Sequence, residues 1–144
     1  MDKYYTPDIS EFHVGFEYET MYLQDYDTWK KEILEEDDAG YFQSIYSGDA
    51  IPTEFRVKYL SQEDIENLDF VLKGKSIDLW FERKGIYLRD DGYHLNNIKL
   101  QYGLHDQRLK ITFNYVSGEE QIHFEGTIKN KSELKKLLKQ LNIG

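Results

Sequence analysis

The chain has 144 residues, 27 acids against 18 bases and a formal net charge of -9. At this length one domain over residues 1–144 is the expected organisation, large enough to bury a core unaided. Cysteine is absent, which removes disulfide scaffolds, thiolate zinc sites, iron–sulfur clusters and cysteine nucleophiles. Hydrophobic residues make up 40% and aromatic residues 15% of the chain, too many for a disordered acidic tail. No apolar run approaches the roughly 18–20 residues that span a bilayer, so no membrane partner is expected. The opening residues Met1 to Tyr5 lack the basic and apolar regions of a signal peptide, and a cytoplasmic location is expected.

The charge is unevenly placed. Residues 1–70 hold 18 acids and 5 bases, a net of -13, whereas residues 71–144 hold 9 acids and 13 bases, a net of +4. The densest acidic run is Glu35, Glu36, Asp37 and Asp38, and the densest basic run is Lys129, Lys131, Lys135, Lys136 and Lys139.

From Phe12 to Tyr22 apolar residues recur at every second position, which predicts a half-buried strand with Phe12, Val14, Phe16, Tyr18, Thr20 and Tyr22 on one face. Trp29 to Leu34 reads as a further strand with Trp29 and Ile33 inward, or as a short helix. Residues 35–53 read as loop, with a short strand at Tyr41–Tyr46. Glu54 to Leu60 alternates again, with Phe55, Val57 and Tyr59 inward. Ser61 followed by Asp64 is a variant capping box and predicts a short helix near 61–68, with Ile65 and Leu68 on its apolar side.

The second half reads as a meander. Ile77, Leu79 and Phe81 alternate with polar neighbours, Gly85 marks a turn, and Ile86–Arg89 is a short strand. Asp91-Gly92 is a hairpin signal, because both central residues of a type I′ turn need positive φ. Ile98, Leu100 and Tyr102 form the next set, then Leu109, Ile111, Phe113 and Tyr115, then Ile122, Phe124 and Ile128. Leu134, Leu137, Leu138 and Leu141 follow the spacing of an amphipathic helix, which Ser132 is expected to cap. The fold class expected is therefore α+β: a mainly antiparallel, curved meander sheet with a C-terminal amphipathic helix and one short helix.

The string Gly15-Phe16-Glu17-Tyr18-Glu19 resembles the GxExE opening of amidoligases related to glutamine synthetase and glutamate–cysteine ligase. The resemblance implies an early strand that presents two carboxylates to magnesium and nucleotide, and alternation does put Glu17 and Glu19 on one face. The downstream phosphate-binding arginines and further glutamates of those longer enzymes have no match here. Glu17 and Glu19 are the candidate metal ligands, and no cofactor is otherwise expected. His13, His94, His105 and His123 are dispersed without HxH, HxxxH or HExxH spacing. No GxSxG is present, and Gly74-Lys75 lacks the glycine spacing of a phosphate-binding loop.

Three strings, EFHVGFEYE from Glu11, RVKYLSQEDIENLDF from Arg56 and TIKNKSELKKLLKQLNI from Thr127, resemble small uncharacterised proteins carried by bacterial and phage genomes. That resemblance implies a mobile-element origin and brings no activity with it.

With no complete catalytic constellation, a non-enzymatic binding role is expected. The chain carries twelve tyrosines, and aromatic residues beside acids suit recognition of a basic protein. The expected contact residues are Tyr22, Tyr26, Trp29, Glu35, Glu36, Asp37, Asp38, Tyr41 and Tyr46. Self-association through the oppositely charged halves is the alternative, and a magnesium-dependent amidoligase-like remnant is a second. Duplex DNA is not an expected partner, because phosphates and carboxylates repel.

Overall fold

The computed structural model describes residues 3–22, 28–35, 52–88 and 94–143. Its contacts gather into two compact units, Met1–Tyr59 and Leu60–Gly144. The architecture is α+β, with a four-stranded and a five-stranded antiparallel sheet and two α-helices among the described residues.

Unit 1 contains β1 (Tyr4–Tyr5), a 3-10 turn (Ile9–Glu11), β2 (Glu17–Tyr22), β3 (Lys30–Ile33) and β4 (Pro52–Lys58). The strand order is β1-β4-β2-β3, and every pairing is antiparallel. Phe16, Tyr18, Leu34 and Val57 form its core, with Tyr5, Phe12 and Phe55 packed against them. The ring of Phe12 meets those of Phe16, Tyr18 and Phe55 edge-on, at centroid distances of 4.9, 5.5 and 5.9 Å. Such pairs contribute about 0.5–1.5 kcal/mol each beyond the area they bury.

The alternation from Phe12 to Tyr22 is not one strand. The chain turns at residues 14–15, Gly15 adopts φ +90°, and pairing begins only at Glu17. Glycine enters that left-handed region without the Cβ penalty. The turn folds Phe12 back over Phe16, while Val14 is left 62% exposed. Within β2, Tyr18 and Thr20 are buried as the alternation requires.

β3 is a strand, but Ile33 is not inward: it is 57% exposed, and Leu34 takes the buried place. The register explains the exchange. Ile33 pairs with Glu17 on the charged face of the sheet, whereas Leu34 exchanges backbone hydrogen bonds with Gly15 and Phe16 at 2.8 and 3.0 Å.

Unit 2 contains α1 (Gln62–Glu66), β5 (Val71–Lys75), β6 (Asp78–Leu88), β7 (His94–Gly103), β8 (Arg108–Tyr115), β9 (Glu120–Thr127) and α2 (Lys131–Gln140). The five strands form a meander in sequence order. Leu79, Phe81, Ile98, Leu100, Tyr102, Leu109, Ile111 and Phe113 point to one side and share a core with Ile65, Leu134, Leu137 and Leu138 of the helices. Leu60 joins that core, and its N–H donates to the carbonyl of Lys129 at 2.8 Å.

The capping box forms as the sequence implies. Ser61 Oγ accepts from Asp64 N–H, and Asp64 Oδ2 accepts from Ser61 N–H. Three other expectations change, and one strand is new. β5 has no counterpart in the alternation read from the sequence. Gly85 is not a turn: β6 runs through it, with a register irregularity between Lys84 and Tyr87. Ile122 is 56% exposed, because the pairing of β8 with β9 slips between Ile111 and Thr112 and moves Ile122 to the outer face. The cap of α2 is Asn130, whose side chain accepts from Glu133 N–H at 2.9 Å, and Ser132 sits buried inside the first turn. Asp91 and Gly92 lie outside the described residues; the strands flanking them pair antiparallel, Leu88 opposite His94.

Candidate functional site

Unit 1 carries 14 acids and 5 bases, a net of -9, and unit 2 carries 13 of each, a net of zero. The whole net charge of the chain thus belongs to the first 59 residues, which also hold eight of the twelve tyrosines.

On the outward face of this sheet Glu19 and Arg56 are cross-strand partners. Arg56 Nη2 donates to Glu19 Oε1 at 3.0 Å, with side chains 26% and 13% exposed. The guanidinium also lies 3.7 Å from the centroid of Tyr4 and 4.1 Å from that of Trp29. Tyr4 reaches this position because β1 pairs with β4, placing it opposite Lys58 on the same face as Arg56. Stacking leaves Arg56 Nε buried without a hydrogen-bond partner. Cation–π contacts contribute about 0.5–1 kcal/mol when exposed and about 2 kcal/mol when desolvated. The cluster is therefore a guanidinium clamp made from one carboxylate and two aromatic rings, occupied by the chain's own arginine.

Glu17 and Glu19 do share the outward face, opposite Ile33 and Lys31 respectively. Arg56 already neutralises the Glu19 carboxylate, and a magnesium ion at Glu19 would meet a fixed cation. Among the described residues no group of three His, Cys, Asp or Glu side chains is arranged to hold a metal ion.

Of the expected contact residues, Trp29 lies in the clamp and Glu35 is exposed just beyond β3. Tyr22 ends β2 opposite Pro52. Tyr26, Glu36, Asp37, Asp38, Tyr41 and Tyr46 lie outside the described residues. Sequence reasoning missed Tyr4 and Arg56. Arg56 was legible only as an outward position of β4; its partnership with Glu19 needs the β2–β4 register, which no local pattern encodes.

The histidines have separate surroundings. His13 Nδ1 donates to the Glu11 carbonyl at 2.9 Å, and His123 stacks on Phe113 with ring centroids 3.8 Å apart. His123 Nε2 lies 3.3 Å from the Tyr115 hydroxyl. His105 is exposed in the β7–β8 turn.

No protein-family model, curated protein or solved structure matches the chain. Among the described residues no helix is long and apolar enough to cross a membrane.

Proposed function

We propose that this chain is a non-enzymatic binding protein whose unit 1 engages a basic protein, as a cytoplasmic accessory or inhibitory factor of the kind mobile elements carry. The observation that carries this reading is the confinement of the entire -9 charge, with eight of twelve tyrosines, to one compact unit. The clamp around Arg56 adds chemical detail: this face already binds a guanidinium through a carboxylate and two rings. Clusters of like charge raise association rates with an oppositely charged partner and lose that advantage as salt rises.

The test is a calorimetric titration of the full chain with an arginine-rich peptide, its lysine counterpart and polyglutamate, at low and at physiological salt. The arginine peptide binds most tightly, binding weakens with salt, and reversing Glu35, Glu36, Asp37 and Asp38 to lysine reduces it. Absence of heat with both basic peptides at low salt refutes the reading, as does equal binding of polyglutamate.

A second reading, self-association, draws on the edge position of β3 and the exposed Ile33 on it. Lys30 and Lys31 on the same strand work against edge pairing. A monomer by light scattering at high concentration and low salt removes it.

A further inference from the structure

Unit 2 has no net charge, but its charges are not evenly spread. A groove of about 500 Å³ opens where the chain leaves α1 and where α2 ends. Leu68, Leu138 and Ile143 give it an apolar lining; Arg83, Lys135 and Lys139 bring three cations against one carboxylate, Asp69.

The sequence builds this arrangement locally. Lys135 and Lys139 are four residues apart and share one side of α2, with Leu138 beside them. The helix ends in a Schellman motif: Asn142 adopts φ +59°, its N–H donates to the Lys139 carbonyl at 3.1 Å, and Ile143 N–H donates to the Leu138 carbonyl at 2.8 Å. That turn brings Ile143 back onto Leu138 and buries both. It also satisfies the Leu138 and Lys139 carbonyls at the helix end. The volume lies within the roughly 300–1,000 Å³ range of ligand pockets.

We propose that this groove docks an acidic peptide, which seats one apolar side chain beside the half-buried Leu68 and places carboxylates against Arg83, Lys135 and Lys139. Charge complementarity selects the occupant, and the apolar lining gives it a position. The inference is independent of the reading for unit 1, since the probe has the opposite charge and the residues tested belong to unit 2.

The experiment is fluorescence anisotropy of the full chain with a labelled peptide Asp-Glu-Leu-Phe-Asp-Glu and its neutral Asn/Gln counterpart. Physiological salt is used, where a Debye length of about 8 Å damps repulsion from distant acids. The acidic peptide binds, and the neutral one binds at least about fivefold more weakly. Lys139→Glu weakens the acidic peptide by roughly three- to tenfold, while Lys136→Glu, an equal charge change at an exposed position of α2 outside the groove, leaves it within about twofold. No binding of the acidic peptide, equal binding of the neutral one, or equal loss in the two lysine variants each overturns the proposal. The neutral-peptide comparison needs no variant and stands even where a substitution fails to fold.

Discussion

The hydroxyl of Tyr102 donates to the carbonyl oxygen of Ile128 at 3.0 Å, from a side chain with no exposed surface. Tyr102 lies on β7, and Ile128 is a buried residue between β9 and α2. One hydrogen bond thus ties the middle of the sheet to the entry of the helix that helps close its core. Tyr102→Phe keeps the ring and leaves that carbonyl unpaired, at a cost of about 1–2 kcal/mol. Urea unfolding then shows a lower midpoint with an unchanged slope.

Removing the cap of α2 distinguishes Asn130 from Ser132 as the start of the helix. Asn130→Ala loses the acceptor for Glu133 N–H and destabilises by about 1 kcal/mol, whereas Asn130→Ser, which can still cap, loses only a fraction of that. Thermal unfolding of the two variants beside the parent chain gives the comparison.

Arg56→Lys is not conservative in the clamp. Lysine keeps the charge but loses the planar group that lies against Tyr4 and Trp29. The expected loss is about 1 kcal/mol, with a change in Trp29 fluorescence that Lys58→Arg does not produce. A double-mutant cycle of Glu19→Gln and Arg56→Lys shows coupling of about 0.5–1 kcal/mol; additive losses would mean that the contact carries no energy.

Gly126 gives a steric test of the inner face of β9. A Cβ there would lie 2.9 Å from Cζ of Phe124, on the same strand face. Gly126→Ala forces that ring out of its place and destabilises by about 1–3 kcal/mol. A melting temperature equal to that of the parent chain would show that the ring moves without cost.

Patterns that are local in sequence were readable. The capping box at Ser61 and Asp64 formed as written, because both halves lie within one turn. Leu109, Ile111, Phe113 and Tyr115 are buried in strict alternation on β8. Patterns that depend on pairing were not. Ile122 reads as inward until the β8–β9 slip is known, and Ile33 until its register against Glu17 is known. Phe12 fits a strand by spacing alone; a positive φ at Gly15 turns it into a lid over Phe16. The candidate contact surface is proposed from composition, acids beside aromatics. Its one described constellation, Arg56 with Glu19, Tyr4 and Trp29, joins four segments and has no local signature.

The bond from Leu60 to Lys129 joins the first residue of unit 2 to the residue just before the α2 cap. In chain order the meander precedes the segment that completes its core. Leu79, Leu100 and Ile111 leave the ribosome without Leu134, Leu138 and Ile143 to cover them. Until α2 has docked, unit 2 presents an uncovered apolar sheet, the state in which a chaperone or a neighbouring chain would meet it.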